Sequence, residues 1–161
     1  MLFGISPHLP ATLLHALASM GHGDEIVLVD ANYPAASDAR HTHVGHAIEL
    51  PGRDLAEAVE DILRLMPLDA FVESPVTLMA SPGATEPPSV HRAVNALLES
   101  APGGPWTPAV IERFAFYERA RQAFVLVRTL ERRPYGNVVL TKGVLTPDGA
   151  LMTQALASAV D

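Results

Sequence analysis

The run Glu25-Ile-Val-Leu-Val29 constrains this chain more than any other stretch. Four consecutive apolar residues, three of them β-branched, leave no polar face, so the segment reads as a short strand covered on both sides. Ahead of it, Leu13, Leu14, Leu17 and Met20 fall on one face of a helix over Ala11 to Met20. Gly21 supplies a stop there, because a left-handed cap costs glycine almost nothing. The result is a helix–loop–strand unit with His22 in the loop and Asp30 at the strand's exit.

The alternation continues. Asp54 to Met66 is helical by pattern, with Leu55, Val59, Ile62, Leu63 and Met66 turned inward. Phe71 to Met79 reads as a strand interrupted near Pro75, Val90 to Leu98 and Pro108 to Ala120 as helices. Phe124 to Leu130 and Asn137 to Thr141 read as strands flanking a turn at Pro134 to Gly136. Asn32 to Gly52 is expected to be loop with one short strand at Ala47 to Leu50, and Ala80 to Pro88 a mobile loop. A last helix follows Pro147, through Met152 and Leu156. Helices alternating with strands predict an α/β fold whose central sheet is sandwiched between helix layers. No repeat or linker divides the 161 residues, so one domain is expected over 1–161, with 144–161 its C-terminal extension.

Composition narrows the function. A hydrophobic fraction of 48% with 18% charged residues belongs to a chain with a core. No apolar run nears the roughly 20 residues that span a bilayer, and Met1 to Ser6 lack the basic start and apolar stretch of a secretion signal. Without cysteine there are no disulfides or thiolate metal sites, and the cytoplasm is the expected address. A net charge of −7 argues against nucleic acid, whose binding needs dense Lys and Arg, and a neutral small substrate fits better. No glycine-rich phosphate loop, dinucleotide fingerprint or nucleophile elbow occurs in the sequence.

Four features could carry chemistry. In Gly21-His22-Gly23-Asp24 the flanking glycines leave the imidazole uncovered, and an imidazole gives and takes protons near neutrality. Asp30 could orient it or bind substrate hydroxyls. The plainer reading is a tight turn whose histidine caps a helix end. In Arg113-Phe-Ala-Phe-Tyr117-Glu-Arg119, Arg113, Tyr117 and Arg121 share one helix face, and a guanidinium beside a phenol suits a hydroxyl-rich ligand. A solvated face is the alternative. Tyr135-Gly-Asn137 offers donors and acceptors at a strand's entrance, or ordinary turn chemistry. His41, His43 and His46 could gather round a zinc ion, but a polar loop with solvated histidines fits the stretch better, and no metal is expected.

Taken in order, Met20-Gly-His22-Gly-Asp24, Asp30-Ala-Asn-Tyr-Pro34, Arg113-Phe-Ala-Phe-Tyr-Glu-Arg119 and Tyr135-Gly-Asn137 resemble the fucose mutarotase branch of the D-ribose pyranase/fucose mutarotase family. The resemblance runs to about Val144. It implies the RbsD-like α/β fold, no cofactor, and a ring-shaped homo-oligomer, often a decamer, with sites at subunit contacts. It implies that His22 is the proton donor, that Asp30, Arg113, Tyr135 and Asn137 bind sugar, and that Tyr117 joins them. The expected activity is interconversion of the anomers of a monosaccharide, most simply L-fucose. D-ribose pyranase activity, or sugar binding without catalysis, are the alternatives. The histidine-bearing segment from Ala36 to Gly52 and the tail beyond Thr146 depart from the family's pattern.

Overall fold

The computed structural model of the chain describes residues 2–159, so the ends of the expected domain, Met1, Val160 and Asp161, lie outside the described residues. Six strands form one sheet: β1 (Glu25–Val29), β2 (Ile48–Glu49), β3 (Val76–Met79), β4 (Ala109–Ile111), β5 (Val125–Arg128) and β6 (Val138–Thr141). Their order is β2-β5-β1-β6-β3-β4, and β6 alone runs antiparallel to its two neighbours. It pairs Val138 with Leu28 at one end and Thr141 with Glu25 at the other.

Successive side chains of β1 alternate between two cores, as the pleat requires. Ile26 and Leu28 enter the larger core, beneath α1 (Ala11–Ser19), α3 (Leu55–Leu63) and α4 (Ser89–Leu98). Val27 and Val29 enter the smaller one, with Phe116 and Ala120 of α5 (Arg113–Gln122) and Ala35 of α2 (Ala35–Asp38). The sheet is thus covered on both faces, which explains the unbroken apolar run. A short α6 (Gln154–Ala157) closes the described chain. Among the described residues no helix is long and apolar enough to cross a membrane.

Several expectations are corrected. The first helix stops at Ser19 with Met20 extended, and Gly21 is not left-handed; Gly23 is, at φ 81°. The stop comes from Lys142, whose ammonium donates to the carbonyls of Leu17 (2.9 Å) and Met20 (2.6 Å), partners the helix end otherwise lacks. The stretch Pro108 to Ala120 is not one helix. Ala109–Ile111 pairs in parallel with β3, and the Glu112 carboxylate then caps α5 by accepting from the N–H groups of Phe114 and Ala115. In the Phe71 to Met79 stretch only Val76–Met79 is strand, because Ser74 turns the chain by binding the backbone of Val76, Thr107 and Ala109. The Asn32 to Gly52 stretch holds α2 and a 3-10 turn over Ala39–His41. The helix read over Asp54 to Met66 occupies Leu55–Leu63, opened by a capping box between Asp54 and Glu57. The last helix is a single turn rather than a run from Pro147.

Candidate active site

β1, β3 and β6 converge on a cleft of about 140 Å³ beside the carboxyl ends of β1 and β3 and the start of β6. Asp30, the first residue past β1, is buried there and paired with Asn137, the residue before β6. The Asp30 N–H donates to Asn137 Oδ1 (2.9 Å), and Asn137 Nδ2 returns a bond to Asp30 Oδ2 (3.0 Å). The N–H of Asn32 takes Asp30 Oδ1 (2.9 Å). Both carboxylate oxygens are thereby oriented, and each retains capacity to accept from a ligand hydroxyl.

α5 closes the opposite wall with Arg113 and Tyr117. Arg113 Nε is buried and has no hydrogen-bond partner among the described residues, while its guanidinium lies 4.6 Å from the Phe114 ring centre. A buried unmatched donor is costly, so its presence at a cleft wall favours a ligand oxygen there. Tyr117 stands edge-on to Tyr33, their ring centres 5.1 Å apart. The Tyr33 phenol donates to Asp38 Oδ2 (2.9 Å), and Asp38 Oδ1 takes the Nε of Arg121 (2.9 Å). Burial first, and the Asp38 contact next, push the Tyr33 hydroxyl well above the usual phenol range, so it stays protonated. Arg121, further along the face that carries Arg113 and Tyr117, therefore braces the wall through Asp38 and does not line the cleft, while Arg119 serves the sheet by binding Glu25 and Thr77.

Tyr135 enters from the loop between β5 and β6 with φ 63°, a left-handed value that side-chain-bearing residues rarely adopt. Gly136 follows because there is no room for a side chain. A Cβ there would meet Glu131 Cγ at 2.6 Å and the Val90 side chain at 3.3 Å. Glu131 is buried; burial raises its carboxyl, yet the bonds from Arg133 and from the Leu55 N–H outweigh this and hold it below the usual range. Five expected binding positions, Asp30, Arg113, Tyr117, Tyr135 and Asn137, thus meet in one cleft, with Tyr33 and Met79 beside them.

His22 does not line that cleft in the same chain. It precedes β1 whereas Asp30 follows it, and at about 3.3 Å per residue the strand alone separates them by roughly 15 Å. Asp30 consequently does not orient His22. Asp69 does: its Oδ1 lies 3.1 Å from His22 Nε2, with the carboxylate buried and the imidazole half-exposed on the Phe71 ring. Asp69 is held in turn by the Phe71 N–H (3.0 Å) and by its own N–H to the Thr141 carbonyl (3.1 Å). Lys142 rather than His22 caps the preceding helix.

Asp69 and Met79 were missed from sequence. Asp69 sits in a Leu-Asp-Ala stretch with no motif around it, and long-range pairing of 67–69 with the end of β6 brings it beside the His22 loop. His41, His43 and His46 do not converge. His43 stacks on Phe124 at 4.5 Å and His46 Nδ1 donates to the Val44 carbonyl. No group of three or more metal-ligating side chains gathers among the described residues.

The sequence pattern of the RbsD / FucU transport protein family matches residues 3–145. The L-fucose mutarotase of Actinobacillus pleuropneumoniae is 43% identical over 147 residues, covering 89% of this chain and 97% of that protein. Fucose mutarotase of Homo sapiens is 42% identical over 145 residues, covering 88% and 93%. The fucose mutarotase of Streptococcus pneumoniae, solved in complex with L-fucose, superimposes with a TM-score of 0.81 at 36% identity, covering 90% of this chain and all of that one. On the extent of the matched pattern and of these identities, the chain belongs to the RbsD / FucU transport protein family.

Proposed function

We propose that this chain is a mutarotase that interconverts the α and β anomers of L-fucose by ring opening. The observation that carries the reading is the cleft itself, where a paired carboxylate and amide face a guanidinium with a buried unmatched Nε across a space of monosaccharide size. Asp30, Asn137 and Arg113 supply acceptors and donors for hydroxyls, while Tyr117, Tyr135 and Met79 offer apolar surface to the sugar's carbon face and methyl group. Polar groups left unmatched on a sugar lacking one hydroxyl are penalised, so the same set confers specificity.

His22 supplies the proton. With Nε2 held by Asp69, the imidazolium donates from Nδ1 to the ring oxygen. The bond from that oxygen to the anomeric carbon breaks, its electron pair stays on the oxygen, and the anomeric hydroxyl loses its proton as the aldehyde forms. That proton returns to the imidazole through water or a cleft phenol. Rotation about the first carbon–carbon bond and reversal of the steps give the other anomer. Such acid–base help is worth about 10²–10⁴-fold, and fixing the sugar adds to it.

In our reading a neighbouring copy brings His22 to the cleft. Exposed Phe71 flanks His22 and exposed Phe114 flanks Arg113 and Tyr117 of the cleft, as apolar surfaces that a subunit contact covers. The assembly is a closed homo-oligomer, for which we adopt the decamer, and the cysteine-free chain suits the cytoplasm.

Magnetisation-transfer NMR on equilibrated sugar tests the activity. Anomer exchange in L-fucose accelerates with the protein present, and His22→Ala abolishes most of the gain. Acceleration with D-ribose but none with L-fucose overturns the substrate, and a His22→Ala variant as fast as the parent overturns the acid.

A further inference from the structure

α4 lies behind the wall of the cleft, and two adjacent residues of it hold two adjacent residues of the loop between β5 and β6. Val90 packs where Gly136 has no side chain, and His91 Nε2 lies 2.9 Å from the carbonyl of Tyr135. A carbonyl only accepts, so Nε2 carries the hydrogen and donates. His91 is 4% exposed, and its other side borders a second cavity lined by Ser81, Thr85 and Glu86 of the 80–88 loop.

From this geometry we infer that His91 is a positioning residue for sugar recognition, its Nε2–H clamping the Tyr135 carbonyl so that Tyr135 is kept in its left-handed conformation with the phenol in the cleft. The inference rests on the proposed mutarotase reading and extends it to a residue that no sugar touches. A left-handed tyrosine reverts to an extended backbone unless its surroundings over-determine it. Of the supports around it, Glu131 and Val90 define the space at Gly136, but the bond from His91 is the one made to the Tyr135 peptide itself. Releasing it lets the peptide turn and withdraws the ring from the sugar, while Asp30 and Asn137 remain paired through their own bonds. Burial also keeps this imidazole below its ordinary range, so at neutral pH Nδ1 is bare and the single ring hydrogen is committed to the clamp.

The test compares the parent with His91→Leu and His91→Gln by fucose exchange over a range of sugar concentrations. The leucine keeps the apolar volume and removes the donor; the glutamine amide restores one. For His91→Leu, KM rises about tenfold with kcat within about twofold, the signature of lost uniform binding. His91→Gln recovers most of the affinity. An unchanged KM in His91→Leu, or a glutamine variant no better than the leucine one at equal thermal stability, overturns the inference. Should the leucine variant fail to fold, His91→Gln against His91→Asn, whose shorter amide falls short of the carbonyl, gives the same comparison, and equal KM values there overturn it. A parent that accelerates no exchange sinks the functional reading instead, so the two failures are distinct.

Discussion

Several polar side chains in this protein are held in oriented contacts in which at least one partner is buried. Asp30 with Asn137 fixes the floor of the cleft, Asp69 with His22 aims the imidazole, and His91 with the Tyr135 carbonyl sets the loop. Such matching offsets the cost of taking these groups from water. His91 makes that cost measurable. In the unfolded chain its imidazole binds a proton near pH 6.5, whereas in the folded chain burial resists that proton. Protonation therefore favours the unfolded state, so the stability linked to His91 is fully present above pH 6.5 and declines as the pH falls below it. The bond to the Tyr135 carbonyl works against this shift without outweighing the burial, and Glu86 stands across the second cavity. Urea unfolding at about pH 7.5 and pH 5 is expected to show a larger loss of stability for the parent than for His91→Gln. Residues that line the cleft were legible where a motif surrounded them, as at Arg113 and Tyr135. Asp69 and His91 act through one contact each with distant backbone or side chain, and no local pattern announces such contacts.

Elements were readable where burial imposed a period. α3 and α4 each show one apolar face, and β1 is apolar on both because both its faces are covered. The exception is β4 at the edge of the sheet, whose Ala109, Val110 and Ile111 are all apolar with no alternation in the sequence and run straight into the cap of α5, so the pair looked like one helix. The end of β6 shows how an element can serve a site without lining it. Thr141 receives Asp69, Lys142 binds the end of α1, and Gly143 packs so close that a Cβ would meet the Leu68 carbonyl oxygen at 2.4 Å. The His22 loop is thereby suspended between α1 and β6. Lys142→Met removes two charge-assisted bonds to the carbonyls of α1 and costs about 1–2 kcal/mol of stability. Because it loosens the loop of the proposed acid and leaves the cleft intact, kcat for fucose exchange is expected to drop about tenfold while KM stays within about twofold. Parallel NMR rate curves and urea titrations check both.

At the scale of the whole molecule, the layered α/β architecture followed from alternation alone, whereas the distance between His22 and the cleft had no local signature. The sequence already set His22 and Asp30 at opposite ends of one strand, but it gave no sign that Asp69 rather than Asp30 meets the imidazole. Complementation reads the proposed sharing directly. His22→Ala and Asn137→Ala are each expected to be nearly inactive. Co-expressed in equal amounts they should recover about one quarter of parental exchange, because random mixing in a closed assembly leaves that share of centres with an intact imidazole and an intact cleft. Sites confined to single chains would recover nothing. β6 makes the link between centres physical. Asn137 stands at its entrance and Lys142 just past its exit, so in an assembly of the proposed kind every copy braces two catalytic stations with one rigid rod. A single misfolded copy would then silence a pair of stations, giving a small fraction of damaged chains twice the weight that its abundance implies.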